Sequence, residues 1–399
     1  QKLYLTTNTV LRIMKKKHII SSTKITHTGL KPKTNFGIPN PPVYHASTIL
    51  YPDSKSRRNK KIKFQYGRMG TPTSQAFCDT MAELYNADGS IIAPSGLAAA
   101  VVGILSFVKS GNHILVSDSA YGSTRNFITK FLPSIGVEVE FYEPRIKSQN
   151  FKKLIKNSTS LIYFESPGSH TFELQDLPSL TKVAKSFNVT TITDNTWATI
   201  LGQNPLDLGV DAVIESYTKY VTGHSDVMMG GVIARGKKFK QIKKQSELMG
   251  QCSGPDDIYL AFRGLRTMKV RLEKSFKSSL KVADWISNQQ KVVNVFHPAT
   301  KYHPDFKIFR RDFNIGAGLF SFELREKNLK KIDKFIDALK LFGIGASWGG
   351  FESLILEADL DKIRKFKTFQ NRKLIRLAIG LEEPEDLIAD LRQAFKEIN

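Results

Sequence analysis

The sequence predicts an α/β chain with a mostly parallel central sheet, a smaller C-terminal α+β domain and an extended N-terminal arm. Three observations carry this. Short apolar runs alternate with amphipathic helical spacing from about residue 74 to 235, the rhythm of strands joined by crossover helices. After about residue 265 one long helical pattern gives way to well-separated strands. The charge is also uneven: of a formal +22 from 59 Lys+Arg and 37 Asp+Glu, +14 lies in residues 1–75, where 15 basic residues accompany the one acid Asp53. At 399 residues the chain exceeds a single core, and the expected parts are an arm (1–70), a central domain (71–265) and a C-terminal domain (266–399).

The arm is rich in Pro and Asn and lacks a sustained helical period, so it reads as extended or irregular, with a solvated loop at Ser54 to Lys61. Met14-Lys15-Lys16-Lys17 resembles a natural start, which would make residues 1–13 an extension. Gly89 to Val108 is free of charge over a length close to a membrane span, but Pro94, Ser95 and Gly96 break it. It reads instead as a strand (Ser90 to Ala93), a tight turn and a buried helix from Gly96. Further strands follow at His113 to Val116, Val137 to Phe141, Leu161 to Phe164, Thr190 to Thr193, Ala212 to Glu215 and Gly231 to Ala234, with a helix at Leu177 to Phe187. A long helix from about Arg266 to Gln289 leads to strands at Leu319 to Leu324, Ser353 to Glu357 and Ile375 to Ile379. Two cysteines support neither a disulfide framework nor a four-thiolate metal site, which fits a reducing, cytoplasmic setting.

Ligands of such sheets bind beyond the carboxyl ends of the strands, and three polar segments fall there. Pro94-Ser95-Gly96-Leu97-Ala98-Ala99 is a strand-to-helix turn whose free amides and helix dipole suit a phosphate. Thr193-Asp194-Asn195-Thr196-Trp197 puts a carboxylate at a strand end. Ser216-Tyr217-Thr218-Lys219-Tyr220 offers an amine able to form a Schiff base, with hydroxyls one and three positions before it for an adjacent phosphate. Each segment alone has an ordinary structural reading as a helix cap, a turn aspartate or a surface lysine. Together, in this order, they meet the needs of pyridoxal phosphate, whose ring nitrogen a carboxylate keeps protonated.

With Tyr66-Gly67-Arg68, Thr71-Pro72-Thr73 and Gly223-His224-Ser225-Asp226 added, the chain from about Thr23 to Ile398 resembles the pyridoxal phosphate (PLP) enzymes of cysteine and methionine metabolism, of fold type I. Glu165-Ser166-Pro167-Gly168-Ser169, where γ-acting members usually continue Pro-Thr-Asn-Pro after Glu-Ser, resembles the β-lyase branch. So does Ser347-Trp348-Gly349-Gly350-Phe351-Glu352-Ser353, where they usually have Leu for Trp, and Arg372 to Glu382 fits as well. Leu97 stands where bacterial β-lyases often have Met. The resemblance implies that Lys219 holds the coenzyme and removes the Cα proton, that Asp194 pairs with the ring nitrogen and that Tyr121 stacks on the ring and assists proton transfer. It implies phosphate binding by Gly96, Leu97, Ser216 and Thr218, with Tyr66 and Arg68 reaching the phosphate from a neighbouring subunit. Arg376 is expected to clamp the substrate carboxylate beside Ser347 and Trp348, with Tyr259 near the partner's site.

The expected activity is cleavage of the Cβ–S bond of L-cystathionine, giving homocysteine, pyruvate and ammonia, as in methionine biosynthesis, with other cysteine S-conjugates as further substrates. A γ-acting member, or a β-lyase with alanine racemase side activity, is the alternative. Expected partners are a small amino-acid substrate and copies of the chain, as a dimer of dimers, with no nucleic acid, no membrane and no metal. His297 and His303 are poorly spaced as ligands, His224 reads as a structural hydrogen-bonding group, and Trp197, Trp285, Cys78 and Cys252 read as packing.

Overall fold

A computed structural model describes residues 20–361 and 363–398. The expectation for residues 1–13 lies outside them. The central sheet has seven strands, β1 (Gly89–Ala93), β2 (His113–Ser117), β3 (Glu138–Tyr142), β4 (Thr159–Glu165), β5 (Thr190–Asp194), β6 (Ala212–Glu215) and β7 (Gly230–Ala234), in the order β1-β7-β6-β5-β4-β2-β3. From β6 outward to β3 neighbouring strands pair in parallel, whereas β7 runs antiparallel to both β6 and β1. The reversal has a local cause. No crossover helix lies between Glu215 and Gly230, so the chain turns back along its own edge, and that turn contains Lys219.

Strand side chains alternate between two buried faces. Ile91, Ile214 and Val232 join one core with Ala99, Val102 and Ile128, while Ile92, Val213 and Ile233 join another with Phe77, Leu84 and Leu265. This explains why the strands are near-continuous apolar runs: both faces are covered by helices. The second of these cores packs α1 (Ser22–His27) and α3 (Pro72–Tyr85), and the first α4 (Gly96–Leu105) and α5 (Gly122–Lys130). α2 (Ser54–Arg58) lies on the surface between them in sequence; α6 (Leu177–Ser186) covers β4, and α7 (Gly236–Leu248) follows β7. Gly89 to Val108 divides into strand, turn and helix as its Pro-Ser-Gly predicts, the strand beginning at Gly89.

The arm departs from the expected irregular chain at two places. Ser21 accepts the Lys24 amide and starts α1, whose Ile25 is buried and whose last carbonyls meet Arg266 Nη1. Asp53 likewise caps α2 through the Ser56 amide at 2.6 Å, putting one helical turn where a loop was expected. Short capped helices leave no periodicity to read. Elsewhere the arm exposes Phe36, Leu50 and Tyr66.

The long helix α8 (Pro255–Ser287) begins well before Arg266 and runs unbroken past residue 265. Pro255 at its first position and Asp256 and Asp257 in its first turn start it. The second sheet has the order β10-β11-β12-β9-β8, from β8 (Val292–Phe296), β9 (Leu319–Leu324), β10 (Gly343–Ile344), β11 (Leu354–Ala358) and β12 (Lys373–Ala378). The sequence reading did not include β8 or the two-residue β10. α8, α9 (Leu329–Asp337) and α10 (Pro384–Ala394) cover one face of this sheet, with Phe320, Phe322, Phe335, Ile375 and Leu377 in the core between.

Buried polar contacts join the two sheets. Arg364, on the segment after β11, meets Glu173 at 3.3 Å and donates to Thr171 Oγ1, bracing the segment after β4. Asp118 accepts the amides of Lys365 and Phe366, and Asp305 pairs with Arg145 at 2.9 Å.

Candidate active site

The carboxyl ends of β1, β2, β4, β5 and β6 and the start of β7 share one edge, where the loop following β10 meets them. At α4, Ser95 Oγ accepts the Ala98 amide at 3.0 Å, leaving the amides of Gly96 and Leu97 at the open helix end. Ser216 packs against that end so tightly that a Cβ on Gly96 would lie 2.5 Å from the Ser216 Cβ and Oγ. Only glycine allows this approach. Thr196 ties the edge together by accepting the Ser216 amide at 2.9 Å while its own amide donates to Asp194 Oδ1 at 2.8 Å. Thr218 differs from the simplest expectation: its hydroxyl donates to Met229 O at 3.1 Å, so a phosphate there would be met by a rotated hydroxyl.

Asp194 ends β5, and burial raises its carboxyl above the ordinary aspartate range while the Thr196 bonds oppose that. Lys219 Nζ donates to Ser347 Oγ at 2.8 Å and lies 5.5 Å from the centre of the Trp348 ring, which in turn packs on Tyr220. Burial, followed by the charge of Arg376, lowers the Lys219 amine to about 8. The loop bearing Ser347 and Trp348 comes this close because Gly349 has φ +82°, and a Cβ there would meet Tyr220 N at 3.0 Å.

Arg376, on β12, is 6% exposed, and burial lowers its guanidinium to about 10. Its Nη2 donates to the carbonyls of Gly345, Ala346 and Ser347 at 3.0–3.3 Å, while Nε is buried without a partner. An orphaned guanidinium N–H beside a lysine is a ready site for a carboxylate. Tyr121 exposes its side chain at the start of α5, and its amide donates to Glu165 Oε2 at 2.7 Å.

The chain thus brings together Gly96, Leu97 and Ser216 at one end of the site, Asp194 at the strand edge, and Lys219, Ser347, Trp348 and Arg376 at the other. It does not bring Tyr66, Arg68 and Tyr259 to this group: among the described residues no hydrogen bond or ring contact links them to it. Arg68 instead donates to Glu247 O at 3.3 Å, at the end of α7, and lies over the Tyr66 ring. Glu165 received no role in the sequence reading, although it ends its strand in register with Asp194, a signal visible once the strands are aligned.

His224 Nδ1 meets Thr222 O at 2.5 Å, and His297 Nε2 meets Ser279 Oγ at 2.9 Å. Burial lowers His297 and His303 to about 3 and about 4. Among the described residues His113, Glu138 and Glu140 have ligand-like spacing, but Lys156 Nζ neutralises both carboxylates at 2.8 and 2.9 Å.

An anion cradle, a buried strand-end carboxylate, an amine of lowered basicity and a buried guanidinium define a coenzyme-dependent enzyme of amino-acid chemistry. The chain belongs to the Cys/Met metabolism PLP-dependent enzymes, whose family model matches residues 22–396. Pyridoxal phosphate is its cofactor. It is 43% identical to a candidate cystathionine beta-lyase of Rhizobium johnstonii, over 94% of this chain and 95% of that one. It is 39% identical to an L-alanine/L-glutamate racemase of Wolbachia pipientis, over 91% and 93%. A solved structure of metB from Corynebacterium glutamicum superposes with a TM-score of 0.87 at 30% identity, covering 95% of this chain and 98% of that one. No helix among the described residues is long and apolar enough to cross a membrane.

Proposed function

We propose that the chain is a carbon–sulfur β-lyase that cleaves L-cystathionine to homocysteine, pyruvate and ammonia. The observation that carries this is Lys219 held between Ser347, Trp348 and Arg376, with tryptophan at the position distinguishing the β-lyase branch. Bound pyridoxal phosphate supplies an electron sink for the charge that develops at Cα. Asp194 would keep the ring nitrogen protonated, and the Gly96 and Leu97 amides with Ser216 and Thr218 would hold the phosphate. Tyr121 would stack on the ring. Arg376 offers its unpartnered Nε to the substrate carboxylate. Lys219, whose lowered basicity leaves much of it neutral near pH 8, accepts the Cα proton. As the Cβ–S bond breaks, its electron pair leaves on sulfur, which is protonated by Lys219 with Tyr121 assisting. Hydrolysis of the remaining three-carbon product yields pyruvate and ammonia.

On the same reading Tyr66, Arg68 and Tyr259 complete the site of a neighbouring copy, which requires at least a dimer and fits a dimer of dimers. The arm, central and C-terminal domains divide near residues 70 and 265, and a cytoplasmic setting suits the free thiols Cys78 and Cys252. Racemisation of alanine is a second reading, favoured by the Wolbachia relative's name and by two proton-carrying groups, Lys219 and Tyr121.

Incubation with L-cystathionine and assay of pyruvate, 2-oxobutyrate and free thiol tests the assignment. Pyruvate is expected; 2-oxobutyrate as the main oxo acid indicates a γ-acting enzyme, and D-alanine formed from L-alanine faster than pyruvate from cystathionine makes racemisation the main activity. Lys219→Ala should abolish turnover and the bound coenzyme's visible absorption. Mixing Lys219→Ala with Arg68→Ala should restore activity through hybrid sites; failure to do so counts against the shared site.

A further inference from the structure

We propose that Glu165 is a positioning residue that holds Tyr121 in place as a neutral, protonated acid. This rests on the reading of Asp194, Lys219 and Tyr121 as the groups around the coenzyme. Glu165 and Asp194 are in-register partners at the ends of parallel strands β4 and β5. Such strands lie about 4.8 Å apart and direct paired side chains to the same face. Glu165 is 8% exposed, and two carboxylates so placed cannot both ionise cheaply.

With the coenzyme bound, its protonated ring nitrogen would supply Asp194 with a positive charge that favours the ionised form. Glu165 has no equivalent partner. The groups facing it are Asp194 on β5, Tyr163 on its own strand, the Tyr121 amide and, more distantly, Arg364 from the segment after β11, whose guanidinium already meets Glu173 at 3.3 Å. A buried carboxyl in these surroundings takes up a proton, and burial, reinforced by the Asp194 charge, accordingly raises Glu165 well above the ordinary range.

What Glu165 fixes is the start of α5. Tyr121 occupies the cap position without a side-chain capping bond, and its amide donates to Glu165 Oε2 at 2.7 Å. The Tyr121 side chain is 47% exposed and makes no hydrogen bond or ring contact among the described residues, so its position follows from its backbone. Glu165 therefore acts on the coenzyme ring through Tyr121, without needing to touch it.

The test compares Glu165→Gln, a neutral isostere that still offers a carbonyl to the Tyr121 amide, with Glu165→Leu, which does not. Coenzyme-free protein is titrated with pyridoxal phosphate, and the visible circular dichroism of the bound ring reports its stacking. Glu165→Gln should bind within about twofold of wild type with unchanged dichroism, whereas Glu165→Leu, which strands a buried amide, should bind about tenfold more weakly with reduced dichroism. If Glu165→Leu does not fold, Glu165→Asp, one methylene short of Tyr121, takes its place with the same expected losses. Equal losses in the Gln and Leu variants, or wild-type behaviour of Leu, overturn the proposal. A wild-type chain that takes up no pyridoxal phosphate overturns the underlying reading, and this role with it.

Discussion

Replacing Gly96 by alanine sets two effects against each other. Gly96 opens α4, where alanine is the better helix former by up to about 1 kcal/mol. The added Cβ would lie 2.5 Å from the Ser216 Cβ and Oγ and 3.2 Å from its Cα. Non-bonded carbons rest at about 3.5–4.0 Å, so the helix start and the turn after β6 must part by about 1 Å. Those two pieces carry the amides and hydroxyl assigned to the phosphate, and a hydrogen bond to a charged acceptor contributes about 1.5–3 kcal/mol. Losing one such bond predicts coenzyme binding weaker by roughly 10- to 100-fold. Gly122 provides the control: it also opens a helix, α5, but a Cβ there meets nothing within 4 Å, so Gly122→Ala should be neutral or stabilising. Titration of coenzyme-free protein, followed by the visible band, measures both. Gly96→Ala binding within about twofold of wild type would refute the argument from close approach.

Three other outcomes follow from the same geometry. The rate of coenzyme uptake by Lys219 should rise with pH through about 8 and then level, and Arg376→Met should move that rise to higher pH by removing a like charge; stopped-flow absorbance reads both. Glu215, buried against Tyr85 Oη at 2.5 Å, is raised to about 8, so the stabilisation from its neutral form is complete below its unfolded value near 4.5 and is lost as pH rises through about 8. Wild type should therefore lose stability relative to Glu215→Gln between pH 5 and 8, by at most about 1.4 kcal/mol per unit, in denaturant titrations; parallel curves count against it. Arg364→Met leaves Glu173 buried without its cation and should cost about 3–5 kcal/mol, whereas Arg364→Met with Glu173→Gln should cost less; a double variant as unstable as the single one contradicts this.

Much of the central sheet was legible because strands covered on both faces are uninterrupted apolar runs, bounded by turn residues such as Pro94-Ser95-Gly96. Strand direction was less so: β7 resembles its parallel neighbours in composition, and only the missing helix between Glu215 and Gly230 reveals its reversal. β10 has two exposed residues and no pattern to detect, and the early start of α8 depends on Pro255 and its acids. In the site, Lys219, Asp194 and Gly96 stand in compact local motifs that sequence displays directly. Glu165 and the bracing of Arg364 on Glu173 depend on pairings across about 190 residues or between strands, which no local spacing encodes.

The three carbonyls that accept hydrogen bonds from Arg376 Nη2 have a consequence for substrate choice. They belong to the same short backbone stretch whose Ser347 meets Lys219, so the guanidinium and the amine form the two jaws of one caliper. A caliper gauges the interval between a carboxylate and the carbon that gives up its proton, and is indifferent to what hangs further out. The chain should accept varied groups on sulfur yet reject β-amino acids, whose carboxylate stands one carbon too far away.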